Sequence, residues 1–595
     1  MDAARSWNRV ALLAMLLGGA AIGQSVTRVS VDTTGAQGNG SSDSPSMSVD
    51  ALFLVFESTS DNFMPGDTNV SQDVFIRDLS NGTTELVSVN SLGVLGNGDS
   101  FSSGPPSADG RYVAFWSYAS NLVPGDLNSV ADVFVRDRQG GTTERVSLDT
   151  AGNAGDGDSY TAAISADGRY VVFESAAANL VPGDTNGAWD VFVRDRLNGT
   201  SERVSLDSAR MEGNGDSYSR WISLDGRYIV FESVATNLVL GDTNGVFDVF
   251  VRDRLNGTTE RVSIGSGGAQ GNNRSGEPSM SADNRYVAFL SDASNLVPGD
   301  TNGVRDVFVR DRLNGITERM SIDSFGVEGN GGSQPASISA DGRYVAFNSF
   351  ATNLVVGDTN ASVDAFRHDR QTGVTVRTSI DSGGGQGNGY SQVTIWSISA
   401  DGRYVAFDSQ ASNLVPGDTN GGLDAFLHDL GEPPVSFCFG DGSAAPCPCG
   451  NSGMPGHGCE NSSSTGGALQ TWSGTASLSA DTLVLMSSLE GPTSVSIFFQ
   501  GDSPTAPLVY GDGLRCSGGV LKRLYVKSAI GGVAIAPEAG DLSITIRSAA
   551  LGSPIPANGT RYYQVYYRDD VAPFCPSPTG NNWNVSNALS VLWSP

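Results

Sequence analysis

At 595 residues the chain is long enough for two or more domains, and 75 glycines beside a 39% hydrophobic share suit a folded, turn-rich protein rather than a disordered one. A formal charge of −28 argues against nucleic acid as a partner, because phosphate recognition needs a basic footprint. Cationic ligands and metal ions fit that charge better.

The N-terminus has the pattern of a signal peptide over residues 1–23. Arg5 and Arg9 supply the positive region, Val10 to Ile22 the apolar one, and Ala21 and Gly23 the small residues before a cut at Gln24. The apolar run is shorter than the roughly 20 residues of a membrane span, and no later segment is apolar enough to cross a bilayer. The mature chain is therefore expected outside the cytoplasm, as a secreted, periplasmic or cell-surface monomer with no membrane span.

An internal repeat follows. A segment like Ser165-Ala166-Asp167-Gly168-Arg169-Tyr170 recurs with its aspartate at Asp50, Asp109, Asp167, Asp225, Asp283, Asp341 and Asp401, at intervals of 59, 58, 58, 58, 58 and 60. Each period holds four strand candidates. In the third copy they are Thr161 to Ser165 (A), Arg169 to Ser175 (B), Asp190 to Arg196 (C) and Ser201 to Leu206 (D), with tight turns at Asp167-Gly168 and Asn198-Gly199. Four strands taken seven times predict an all-β, seven-bladed β-propeller over residues 24–430. The array opens with a D strand near Val26 and ends on a C strand at Asp424. Val26 to Asp32 should therefore complete the last blade and remove an exposed sheet edge.

Ser-Ala-Asp-Gly-Arg-Tyr-Val-Ala-Phe, followed by Asp-Val-Phe-Val-Arg-Asp, resembles the repeat of TolB-type (WD-repeat-like) propellers, where a Ser-Pro-Asp-Gly turn precedes a strand ending in Ala-Phe. The resemblance runs from about Val26 to Asp429 and implies fold rather than activity. Alanine usually stands for the proline here, and each repeat exceeds the about 40–45 residues of a usual blade.

The extra length lies in the B–C and D–A loops, which a four-stranded meander places on one side of the disc. Those loops carry Asp-x-Asn-x-x-x-Asp in all seven copies. The residues are Asp67, Asn69 and Asp73; Asp126, Asn128 and Asp132; Asp184, Asn186 and Asp190; and Asp242, Asn244 and Asp248. The pattern continues as Asp300, Asn302 and Asp306; Asp358, Asn360 and Asp364; and Asp418, Asn420 and Asp424. Oxygen ligands at positions 1, 3 and 7 suit calcium, and the spacing resembles calcium loops of integrin-type propellers. The same residues also serve as plain turn formers. Arg169, Arg194, Arg196 and Arg203 and their equivalents are expected near the short-turn side, opposite the acidic loops.

Catalytic constellations are sparse. His368 and His428 replace arginines of other copies and read as solvated strand ends, and His457 lies in a cysteine-rich segment. An enzyme should break the repeat with unique polar residues in one or two blades. The irregular positions are instead aromatic: Trp116, Trp189, Trp221 and Trp396.

Composition shifts at a linker, residues 431–436, before a Cys/Gly-rich segment at 437–464 and a small β-sandwich at 465–595. Cys438, Cys447, Cys449, Cys459, Cys516 and Cys575 read as disulfides in an exported chain, with the pairing open. Cys447-Pro448-Cys449-Gly450-Asn451, with Phe-Phe-Gln-Gly-Asp downstream, looks like a C-terminal module of exported planctomycete proteins. The expected function is a non-catalytic binding or scaffold propeller that takes a protein, a glycan or calcium on its acidic long-loop face. The alternatives are an extracellular hydrolase or lyase acting on polymers, and a structural adhesin of the cell surface.

Overall fold

The computed structural model describes residues 25–593 apart from 70, 103, 432–434, 474–475, 477, 479–480, 482, 539, 557–558 and 569–581. The signal-peptide region and Cys575 lie outside the described residues, as does the side chain of Cys449. The chain divides into two compact units, one of them Val26–Asp381 with Gln386–Asp429, while the other takes up the chain from Leu430.

The first unit is a ring of seven four-stranded antiparallel sheets, the β-propeller expected from the repeat. In the third blade the strands are Ser159–Ile164, Tyr170–Ser175, Asp190–Asp195 and Thr200–Arg203, hydrogen-bonded in that order. Tyr170 faces Asp195 and Phe173 faces Phe192 across the B–C pair. The two phenylalanine rings stack at 5.8 Å, and six blades repeat that pair with phenylalanines in the same register. Strand B is apolar on both faces because each sheet is sandwiched between neighbouring blades, so Val171, Val172 and Phe173 are all buried. Glycine suits position 168 for two reasons, although Ala51 and Asn284 hold the same turn in two other copies. Gly168 has a φ of +71°, and a Cβ there would strike the ring of Tyr112 in the preceding blade.

Closure is as the orphan strand predicts. Ser25–Arg28 pairs with Asp424–Asp429, and Val29 N–H donates to Ala425 O at 2.8 Å. The seventh sheet is thus built from both ends of the array.

The long D–A segment is more than a surface loop. Its first half forms a small hairpin, pinned by Leu148 opposite Ala154 in the third copy, that hydrogen-bonds the D strand of the next blade. Thr143 N–H donates to Ser91 Oγ at 2.9 Å, Thr259 N–H to Ser208 Oγ at 3.0 Å, and Thr317 N–H to Ser266 Oγ at 2.9 Å. The extra residues per repeat therefore clasp adjacent blades at their outer strands, which corrects the expectation that they all crown one face.

The second unit is a β-sandwich. One sheet runs Val435–Phe437, Ala588–Trp593, Gly559–Arg568, Val495–Gly501 and Lys522–Ser528. The other runs Leu469–Ser473, Val484–Ser488 and Ala534–Ala536. Phe498, Leu524, Tyr563, Val565 and Trp593 of the first pack on Leu485, Ala534 and Ala536 of the second. Disulfides join Cys438 to Cys516 and Cys447 to Cys459.

Candidate functional site

The Asp-x-Asn-x-x-x-Asp loops fold in one way. In the third blade Asn186 Oδ1 accepts from Ala188 N–H, while its Nδ2 donates to Asp190 Oδ2 and to Gly213 O, each at 2.9 Å. The amide thus turns a donor, not an oxygen, toward the second aspartate. Between the carboxylates stands a guanidinium: Arg203 Nη1 is 3.0 Å from both Asp184 and Asp190. The same bridge is made by Arg28, Arg145, Arg261, Arg319 and Arg377 in five further blades. Arg203 therefore belongs to the loop side of the blade, which corrects its expected place by the short turns. Arg169 does lie there, in a bidentate pair with Asp195.

The first blade departs from this rule. Leu86 occupies the arginine's register position opposite Phe75, so no arginine of its own D strand bridges Asp67 and Asp73. Burial raises both carboxyls, Asp73 to about 6. Among the described residues no group of three or more His, Cys, Asp or Glu side chains is arranged to hold a metal ion.

Around the channel, the residue after the strand-B phenylalanine varies from blade to blade: Glu57, Trp116, Glu174, Glu232, Leu290, Asn348 and Asp408. Four of these cap a backbone N–H in or just after the A strand of the next blade. Glu57 accepts from Ser102 at 2.8 Å, Glu174 from Ser219 at 2.9 Å, and Glu232 from Glu277 at 3.0 Å, while Asn348 accepts from Val393. Burial, with Asp43 nearby, pushes Glu57 up to about 8, and burial pushes Glu174 up to about 7. Asp408 is one methylene shorter than a glutamate, is fully buried, and makes no matching bond to a backbone N–H of the next A strand; Gln392 and Ser44 are its polar neighbours. Burial and then Asp43 raise its carboxyl strongly.

The histidines are structural rather than solvated, which corrects the sequence reading. His368 Nδ1 meets Thr375 Oγ1 at 2.8 Å and His428 Nδ1 meets Thr378 O at 2.7 Å; both rings are buried. The arginines they replace are buried too, with Arg194 reaching Asp149 O of the preceding blade at 2.9 Å. An interior position between blades, not a strand end in water, is what the sequence swap conserves.

An aromatic arc runs from the A strand of blade two through blade four and ends on Arg274 at the start of blade five. Phe101 stacks on Trp116 at 4.2 Å, Trp116 meets Tyr160 at 4.8 Å, and Tyr160 stacks on Trp189 at 5.3 Å. Trp189 then meets Tyr218 at 6.3 Å, Tyr218 meets Phe247 at 5.7 Å, and Arg274 sits 5.1 Å over Phe247. All six rings are half-buried. Where the arc has Phe101, Tyr160 and Tyr218, the other blades carry Asp43, Gly276, Gln334 and Gln392. One half of the rim is aromatic and the other polar and acidic. Sequence reading singled out Trp116 and Trp189 but missed the tyrosines and phenylalanines between them, which come from different strands of successive blades.

No family model and no curated protein matches the chain. Among solved structures, TolB from Agrobacterium tumefaciens is 16% identical, covering 50% of this chain and 83% of its own, with a TM-score of 0.31. An oligogalacturonate lyase in complex with manganese is 13% identical over 70% of this chain and 95% of its own, at 0.43. The β-propeller domain of the Trilobed protease from Pyrococcus furiosus is 12% identical over 66% and 96%, at 0.39.

Proposed function

We propose that the protein is an exported, non-catalytic binding propeller that takes a neutral or cationic glycan along the aromatic arc. The observation that carries this reading is the break in symmetry: the repeat is uniform in its turns and core, yet aromatic rings gather on one side of the channel rim. Sugar rings pack their C–H faces on aromatic side chains and direct hydroxyls or ammonium groups to carboxylates, and the net charge of −28 favours the cationic kind. The carboxyls Glu57, Glu174 and Glu232 are tied to backbone amides of the next blade, a structural duty that favours binding over acid–base chemistry. The disulfides fit an oxidising compartment outside the cytoplasm. Chitosan oligomers should bind the full chain, and Trp189→Ala should weaken that binding about tenfold without changing the melting curve. Unaltered affinity in that variant would remove the arc from the site.

Calcium remains a narrower reading, favoured at one place only. In six loops a divalent cation would have to displace a guanidinium that already neutralises the pair, whereas Asp67, Asn69 and Asp73 have no such neighbour in their D strand. Calorimetry at calcium concentrations of about 1–10 mM should detect at most one site, and Leu86→Arg should abolish it. Seven equivalent heats would contradict the arginine bridges.

A further inference from the structure

The two odd intervals of the repeat, 59 and 60, both fall on the channel. The seventh blade has nine residues from Ser391 to Ser399 where the sixth has seven from Ser333 to Ser339. Its A strand is cut to Ser391–Gln392, and the added residues form a turn at Ile395 and Trp396. Trp396 O accepts from Met47 N–H at 3.1 Å, and Thr394 Oγ1 donates to Pro45 O at 2.9 Å, so the turn is fixed to the first blade. In the second blade the A strand is cut to Ser100–Phe101, ahead of Pro105 and Pro106. The fourth blade keeps its length but changes its chemistry. Trp221 faces Val230 where Ala163, Ser279 and Ser337 stand in the matching register of other blades.

These departures meet at one point. The indoles of Trp221 and Trp396 stack face to face, 3.4 Å between centroids and 7° from parallel. They border a cavity of about 60 Å³ that opens by the short A–B turns and is lined mainly by apolar side chains, among them Met47, Ile164, Ile222, Met280, Ile338 and Ile398. Each indole is 8% exposed, and neither Nε1–H has a hydrogen-bond partner in the protein. Both indole nitrogens are shielded from water, so an acceptor in the cavity reaches them only when the rings shift, and the cost of an unpaired buried donor favours that shift. Water needs several polar partners to be held well, and a cavity with such walls tends to stay dry and admit apolar guests.

We propose that this mouth of the channel is a binding site for a small apolar molecule carrying one hydrogen-bond acceptor, its oxygen taken by the indole N–H groups of Trp221 and Trp396. The site lies at the short-turn side, away from the aromatic arc, and does not depend on the glycan reading. Its symmetric background is a collar of backbone bonds between blades, such as Ala108 N–H to Ala166 O and Ala340 N–H to Ala400 O, each 3.0 Å. That collar gives a stiff rim, while the three altered blades supply specificity.

The test uses the full-length protein with ¹⁵N-labelled tryptophan, its indole signals assigned from Trp221→Phe and Trp396→Phe. Cyclohexanone is the probe, and cyclohexane, with the same ring and no acceptor, is the control. Cyclohexanone should shift both indole N–H signals saturably with a Kd of about 1 mM, and cyclohexane should bind about five- to tenfold more weakly. Trp396→Phe keeps the stacked ring but lacks the donor, and should lose a similar factor. Absence of saturation by about 20 mM cyclohexanone, or equal affinity for cyclohexane, overturns the proposal. Should a phenylalanine variant fail to fold, the two probes compared on the unmodified protein still decide the matter.

Discussion

Removing residues 25–32 from the mature chain is expected to unfold the propeller or to lower its melting temperature sharply. The deletion strips the outer strand from the seventh sheet and takes away buried Val26, Val29 and Val31. Burial of three valines contributes roughly 5 kcal/mol. Arg28 goes as well, leaving Asp418 and fully buried Asp424 without their cation, and Ser30 Oγ no longer donates to Asp424 Oδ1 at 2.8 Å. A buried carboxylate stripped of its partner costs about 3–5 kcal/mol. The sum, about 8 kcal/mol or more, is comparable with the whole stability of an ordinary domain. Arg28→Met alone should cost about 3 kcal/mol in a denaturant titration, since it keeps the strand and removes only the charge. Closure through this strand is refuted if the truncated protein melts with the intact one.

The second large effect is on pH. The folded protein holds a proton on Glu57 up to about pH 8, whereas the unfolded chain releases it near the ordinary value of 4.5. Between those values the native state binds more protons than the unfolded state, so stability falls as pH rises, on the order of 4 kcal/mol from this group. Glu174, raised to about 7, and Asp408, raised by burial beside Asp43, act in the same direction. The histidines act in the opposite one. Burial lowers His368 and His428 to about 4, so below the ordinary 6.5 the unfolded chain takes up protons that the native state refuses, and their contribution to stability falls as pH drops from 6.5 toward 4. Above about pH 4 the three raised carboxyls outweigh the two lowered histidines, so a stability maximum near pH 4 to 5 is expected in buffered thermal melts. Glu57→Gln keeps an acceptor for Ser102 N–H and should flatten the alkaline limb while leaving the acid limb in place. A wild-type profile flat from pH 6 to 9 would show that these carboxyls are not held neutral in the folded ring.

The repeat alone determined the fold class, the blade number and the way the ring shuts. A strand is a local object: Val171 to Phe173 between two turns has few alternatives, and a count of such strands leaves one unpaired at each end of the array. The C-terminal sandwich was legible in the same way, although which cysteines pair was not, because Cys438 and Cys516 are 78 residues apart. What each polar residue does was decided only in three dimensions. Asp184 and Asp190 read as calcium ligands or as plain turn formers, and only the structure shows Arg203, on a neighbouring strand, standing between them. His368 reads as a strand end in water until it is found buried, with Nδ1 against Thr375 Oγ1. The aromatic arc and the tryptophan pair draw on residues from blades far apart in the chain, Trp221 and Trp396 among them, which only ring closure brings within stacking distance. Local pattern sets which way a side chain points along a strand; the partner it meets across the channel depends on the curvature of seven packed sheets, and no window of sequence contains that.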